Sequence, residues 1–99
     1  MKIKTIDVYV MEWFDKVNGN SYFAGTITLD YGMKTQKDFD IPFQYGYGEH
    51  YQTVAMDILN NGKAIDTHST MSLWRYCQEN NIILRTDKKT GCKKRDLIK

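Results

Sequence analysis

The stretch IDVYVMEWFDKVNGNSYFAGTITLDY, residues 6–31, decides the fold of this chain. Asn18-Gly19 lies at its centre, and apolar residues alternate with polar ones on both sides. Asn-Gly favours a two-residue type I′ turn, because both central positions need positive φ. The pattern therefore predicts a β-hairpin with Phe14 opposite Phe23, and the same register pairs Val10 with Ile27, Val8 with Leu29 and Ile6 with Tyr31.

The two faces of this hairpin are expected to differ in function. Side chains alternate between the faces of a strand, so the pairs above share one face, which we interpret as the core face. Glu12 also belongs to it, opposite Gly25. A carboxylate in a core must be paired, for example with Lys4 or Arg75, or neutralised. The alternative is that Glu12 lies at the margin of the sheet or that a bulge turns it outward.

The outer face of the hairpin carries the first candidate binding surface. Trp and Tyr are the residues that most often anchor protein interfaces, and exposed apolar patches frequently mark such interfaces. The alternative is that the C-terminal segment or a helix covers this face. If the face is open, its partner is another protein or a second copy of the chain, and the predicted partner-binding residues are Tyr9, Met11, Trp13 and Tyr22.

A third strand is predicted at about residues 36–43. A three-residue loop at residues 32–34 would place its apolar residues on the core face, with Phe43 opposite Phe23. Pro42 cannot donate to a ladder, which indicates an edge strand or a strand end.

Two helices and a short strand follow. Helical spacing predicts helices over residues 49–60 and 70–80, the second capped by Ser69 or Thr70 and buried through Leu73, Trp74 and Cys77. Residues 82–84 read as a strand that residues 85–86 extend. A turn is expected at residues 87–91, and residues 92–98 form either another strand or a loose end.

The order βββααβ, with or without a final β, predicts an α+β fold. We expect an antiparallel sheet of three to five strands with two helices packed on one face. The 99 residues predict a single domain, residues 1–99, with a basic C-terminal segment, residues 85–99.

Composition and the lengths of the apolar runs indicate the cellular compartment of the protein. The apolar runs are too short to span a bilayer, and MKIKTIDVYV does not have the pattern of a signal peptide. Two cysteines do not make a disulfide framework. We therefore expect a cytoplasmic protein with free thiols and no membrane partner.

Nothing in the sequence predicts catalysis. His50 and Glu49 could form an acid–base pair, but no nucleophile is placed near them by spacing. The two histidines and two cysteines lack the spacing of zinc motifs. We expect no enzyme activity, no catalytic residue, no metal and no cofactor.

The basic C-terminal segment is the second candidate site. It holds seven basic and two acidic residues, half of the 14 basic residues of the chain. A turn at Thr90-Gly91 would gather its charges for nucleic acid or nucleotide binding, with stacking on tyrosines of the loop before the first helix. The alternative is a solvated end. The residues predicted to bind a polyanion are Lys88, Lys89, Lys93, Lys94, Arg95, Tyr45 and Tyr47.

Four segments together resemble a family of small phage and prophage proteins: WFDKVNGNSYF (13–23), PFQYGYG (42–48), LWRYC (73–77) and CKKRDL (92–97). The resemblance implies a protein made in the bacterial cytoplasm during infection, and it brings no catalytic residues. Short phage proteins commonly act by binding a target. The expected function is thus that of a viral protein that occupies a host or defence-system protein as an inhibitor or counter-defence factor.

Overall fold

One mixed sheet organises the protein, as seen in a computed structural model that describes residues 3–62, 64–65 and 72–97. The order of elements in this part of the chain is β1 (Thr5–Asp15), β2 (Asn20–Leu29), β3 (Lys37–Tyr45), α1 (His50–Asn61), α2 (Leu73–Glu79), β4 (Ile83–Lys89) and α3 (Lys94–Leu97). The four described strands lie in the order β3-β2-β1-β4. The predicted α+β class is confirmed.

The sheet is not wholly antiparallel, which corrects one detail of the prediction. β1 and β2 are antiparallel, as are β2 and β3, but β4 lies parallel to β1 from the Thr5–Ile83 pair to the Met11–Lys89 pair. After β3 the chain crosses to the other edge of the sheet through α1 and α2. A helical crossover of this kind joins parallel strands, whereas a tight hairpin turn joins antiparallel ones.

The register of the β1–β2 hairpin differs from the predicted one by two residues. Phe14 lies opposite Ser21, and Glu12 lies opposite Phe23. The carboxylate of Asp15 accepts hydrogen bonds from the backbone N–H groups of Val17 and Asn18, at 3.0 and 3.3 Å, and from the Asn18 side chain. These bonds stabilise a four-residue loop, residues 16–19, instead of the two-residue turn. The predicted faces survive, because a slip of two residues is one full period of the strand.

β3 follows the predicted register only up to its bulge. Ile27 pairs with Phe39 and Gly25 with Ile41, as expected, although the loop before β3 spans residues 30–36. The register then shifts between Gly25 and Phe23. A bulge reverses the side to which later residues point. Phe43 therefore lies on the outer face and not on the core face as predicted, and Pro42 occupies the bulged region of an edge strand.

The core lies between the sheet and the two longer described helices. Its fully buried side chains include Ile6, Val8, Val10, Ile27, Ile41, Leu59 and Leu73. α1 begins and ends within one residue of the predicted bounds. Ser72, whose hydroxyl accepts a hydrogen bond from the Arg75 N–H at 3.3 Å, caps α2, whereas the predicted caps at residues 69 and 70 lie outside the described residues. Trp74 is 61% exposed, so its predicted burial was wrong.

The C-terminal segment departs most from the prediction. The expected turn at residues 87–91 is wrong in its first half, because β4 continues to Lys89. Residues 94–97 form the short helix α3 and not a strand. The predicted hairpin turn at Thr90-Gly91 is also wrong, since this point joins β4 to α3. Leu97 is buried against the outer face of the sheet, and this burial explains why the segment leaves the sheet edge.

Candidate functional site

Five aromatic rings form one continuous group on the outer face, at the hairpin end of the sheet. Trp13 and Tyr22 stack with ring centroids 5.4 Å apart, and Tyr22 stacks on Phe43 at 5.2 Å. Tyr45 meets Tyr22 edge-on at 5.8 Å, and Tyr47 meets Tyr45 edge-on at 5.2 Å. These are preferred aromatic geometries, so the rings support one another. We call these five residues the aromatic cluster.

The backbone pairing brings these rings together. Trp13 and Tyr22 are directly opposed across β1 and β2, and Tyr22 is opposed to Tyr45 across β2 and β3. The β3 bulge adds Phe43 to the same face. The Tyr47 hydroxyl donates a hydrogen bond to the Gly19 carbonyl at 3.1 Å, which ties the loop after β3 to the hairpin turn. The cluster is thus built on strands and held at its loop end.

The rings are accessible to a partner. Trp13, Tyr22 and Phe43 are half-buried, and Tyr45 and Tyr47 are each about half exposed. The adjoining hairpin end adds two more apolar side chains, Phe14 and Val17, of which Val17 is 91% exposed. By the alternation of side chains along β1, Phe14 points to the core face, but the helices do not extend far enough to cover it. The end of the hairpin therefore presents apolar groups on both of its faces.

The predicted partner-binding residues divide into two parts. Trp13 and Tyr22 lie within the aromatic cluster. Tyr9 and Met11 lie farther along the same face, where Leu97 of α3 packs against the sheet. The structure thus combines the two arrangements considered for this face: its hairpin end is open, and its other part is partly covered by the C-terminal segment.

The predicted polyanion-binding residues are not gathered in one place. Lys94 Nζ lies 5.7 Å from the centre of the Trp13 ring, on the outer face. Lys88 points to the opposite face, where its Nζ lies 3.4 Å from Glu12 Oε2 and donates to the Gly48 carbonyl at 3.2 Å. Lys89, Lys93, Lys94 and Arg95 are exposed. The tyrosines predicted for stacking, Tyr45 and Tyr47, belong to the aromatic cluster.

Negative charge also borders the aromatic cluster. The Asp15 carboxylate is charged at neutral pH and partly offsets Lys94 nearby, and the side-chain hydrogen bond from Asn18 lowers the pKa of Asp15. Asp40 of β3 and Asp96 of α3 lie on the same face. Tyr45 adds no charge at neutral pH, and its side-chain hydrogen bond with Tyr47 raises the pKa of its phenol further. The outer face is consequently mixed in charge and does not present a single basic field.

The other reactive side chains do not assemble into a site in the described part of the chain. The His50 ring packs edge-on against Phe23 at 6.2 Å, and Glu49 accepts a hydrogen bond from Gln52. Burial raises the pKa of the Cys77 thiol to about 11, and Cys92 is half-buried. Within residues 3–62, 64–65 and 72–97, no group of three or more His, Cys, Asp or Glu side chains is arranged to hold a metal ion.

Sequence reasoning missed Phe43, Phe14 and Val17 as parts of the candidate surface. Phe43 changes face at the bulge, and Pro42 beside it was the available signal, since proline in a strand is found at edges and bulges. Phe14 was assigned to the core because alternation shows the face of a residue and not how far the helices extend.

A scan against protein-family models, a search of curated proteins and a search of solved structures each found no match. No helix in the described ranges is both long enough and apolar enough to cross a membrane.

Proposed function

We propose that this chain is a non-enzymatic binding protein that uses the aromatic cluster to occupy a surface of a protein target. The observation that carries the proposal is the continuous contact of five partly exposed rings at one end of the sheet. Aromatic anchors lose little conformational entropy on binding and bury much apolar area, so they dominate interface energies.

The placement of the cluster supports a contact with a protein. The rings stand mainly on strands, and Phe14 and Val17 extend the exposed apolar area at the end of the hairpin. Asp15, Asp40 and Asp96 lie around it together with Lys94, and this mixture of charges suits a protein surface, which can offer charges of both signs, better than a uniformly negative phosphate backbone. By its resemblance to phage proteins, the target would be a host or defence-system protein in the bacterial cytoplasm, which the protein would inhibit by occupying it.

The test is affinity capture from a bacterial host lysate, with the two tryptophans as a matched pair. Trp13 lies in the cluster, while Trp74 is exposed on α2. We expect Trp13→Ala to weaken target binding by about 2 kcal/mol or more while the protein stays folded. Trp74→Ala should bind like wild type. If Trp13→Ala captures as much target as Trp74→Ala does, the proposal is refuted.

Two readouts separate inhibition and self-association from simple capture. The activity of the captured target should fall on titration with wild-type protein and not with Trp13→Ala. Sedimentation of the isolated protein reports whether the cluster instead joins two copies of the chain. If wild type is a dimer and Trp13→Ala is a monomer, the aromatic cluster binds a second copy of the chain and not a separate target protein.

A second candidate, single-stranded nucleic acid binding, rests on Lys94 beside the Trp13 ring. A cation next to stacked aromatic rings suits a base and its phosphate. In this case reversing the charge of Lys93, Lys94 and Arg95 should abolish binding, and binding should fall steeply with salt for every sequence alike. No detectable binding to single- or double-stranded DNA and RNA at low salt would reject this candidate, because electrostatic attraction is strongest there.

A further inference from the structure

A groove of about 260 Å³ lies on the outer face, between the sheet and α3. Its floor is formed by the middle of β2, Ala24 to Thr26, and its walls include Tyr9, Met11, Phe43 and Leu97. The lining is therefore mainly apolar. Phe43 belongs both to this groove and to the aromatic cluster, so the two surfaces are continuous.

Two carboxylates line this apolar groove, Asp40 from β3 and Asp96 from α3. The Asp40 carboxylate makes no hydrogen bond or ion pair within the described residues. Asp96 accepts a hydrogen bond from the backbone N–H of Lys93 at 2.9 Å, through Oδ2, and in residues 3–62, 64–65 and 72–97 its carboxylate has no ion pair with a basic side chain. Both side chains belong to exposed residues, so a partner can reach them.

We propose that this groove receives a basic side chain, lysine or arginine, from the protein target. The aliphatic stem of such a side chain would pack along Met11 and Leu97, and its charged head would meet Asp40 and Asp96. Long basic side chains combine these two requirements, since they bury their methylene groups while keeping the charge in a polar setting. The aromatic walls, Tyr9 and Phe43, are also favourable neighbours for a cation.

This inference rests on the proposed function and specifies its chemistry. The target surface would carry a basic residue beside the apolar area that contacts the aromatic cluster. Pairing with carboxylates would add affinity for the basic residue and would select the partner, because a mismatched or unpaired charge is costly to desolvate.

The groove can be tested without the target. n-Butylammonium and n-butylguanidinium mimic the two side chains, and 1-butanol is a neutral control of similar length. In titrations followed by NMR at low salt, we expect saturable shifts at the amides of Tyr9, Thr26 and Leu97 for both cations. Affinity for the cations should fall about tenfold or more in the double variant Asp40→Asn/Asp96→Asn.

Asp57→Asn is a control of the same chemistry, because Asp57 is an exposed residue of α1 and this variant removes one carboxylate charge away from the groove. It should leave both titrations unchanged. Equal binding of 1-butanol, or cation shifts that do not saturate at the groove, would overturn the inference. A wild-type dimer that becomes monomeric in the double variant would also overturn it, since a second copy would then fill the groove.

Capture of the target by the two sets of variants tests this inference and the proposed function separately. If Trp13→Ala loses the target while Asp40→Asn/Asp96→Asn keeps it, only the groove assignment fails. If Trp13→Ala keeps the target, the proposed function itself fails. Loss of the target in both variants, together with saturable cation binding in wild type, is the result expected.

Discussion

Lys88 Nζ lies 3.4 Å from Glu12 Oε2, on the face of the sheet opposite to the aromatic cluster. Both side chains are mostly buried, with 24% and 18% of their surface exposed. Lys88 also donates to the Gly48 carbonyl at 3.2 Å and lies over the Tyr51 ring at 6.0 Å. This lysine therefore joins β4, β1 and the start of α1, and its charge is part of the fold.

The first prediction concerns this ion pair. Glu12→Gln should destabilise the protein by about 1–2 kcal/mol, because it leaves a mostly buried lysine without its counter-charge. A double-mutant cycle with Lys88→Met should give a coupling energy of about 1 kcal/mol or more, measured by urea unfolding.

The control cycle uses Arg75 and Glu79, an exposed pair 3.8 Å apart on α2. Its coupling should stay near 0.3–0.5 kcal/mol or below, since exposed pairs are screened. Equal coupling energies for the two pairs would contradict the structural role of Lys88.

The second prediction compares two glycines. A Cβ at Gly25 would overlap the Tyr9 carbonyl oxygen and come within 2.7 Å of Val10 Cα, whereas one at Gly19 would meet nothing within 4 Å. Gly25→Ala should therefore cost about 3 kcal/mol, because backbone atoms must move. Gly19→Ala should cost about 1 kcal/mol, since Gly19 has φ of 69°. Thermal unfolding of both variants measures the difference, and similar losses would argue against the close approach of β1 and β2.

The third prediction concerns Asp30, a buried carboxylate at the first position of the loop between β2 and β3. Its Oδ1 accepts the backbone N–H of Lys4 at 2.7 Å and that of Thr5 at 3.3 Å, and its Oδ2 accepts the Thr35 hydroxyl at 2.8 Å. The hydrogen bond from the Lys4 N–H is the main cause that lowers the pKa of Asp30.

A lowered pKa means that the native state favours the charged carboxylate. This stabilisation is complete above the pKa of the unfolded chain, about 3.9, and is lost as pH falls through the lower native value. Asp30→Asn should cost about 1–2 kcal/mol at pH 7, and its difference from wild type should shrink below about pH 4. Urea unfolding across pH measures this, with Asp57→Asn as the control. A constant difference at all pH values would exclude the charge as the cause.

The fourth prediction concerns the two thiols. Cys77 is buried in the core, and burial raises its pKa to about 11. Cys92 is half-buried after β4, with its Sγ 3.4 Å from the Lys89 carbonyl. The thiolate is the reactive form, so Cys92 should be alkylated about tenfold faster or more at pH 8. Mass spectrometry of timed samples measures the order. Faster labelling of Cys77 would contradict its place in the core.

Much of the fold follows from local sequence. Alternation in residues 6–31 determines which side chains share a face. The predicted faces are correct although the predicted register is wrong, because a slip of two residues leaves every side chain on the same face. Helical spacing and Asn61-Gly62 determine where α1 ends, through contacts within a few residues. Pro42 marks an edge strand because proline lacks the N–H that an inner strand needs.

Tertiary structure alone decided the rest. The hairpin register is an exception, since it follows from local bonds of the Asp15 carboxylate to N–H groups two and three residues away, which the Asn-Gly signal did not predict. The bulge in β3 moved Phe43 into the aromatic cluster, and pairing across three strands joined rings that lie far apart in the sequence. Burial of Leu97 placed α3 on the outer face and formed the groove. Lys88 lies on the other face, where it forms an ion pair with Glu12. Local pattern determines whether a segment is a helix or a strand and which of its side chains share a face. Which elements pack together depends on contacts between residues far apart in the sequence, where burial or ion pairing lowers the free energy most.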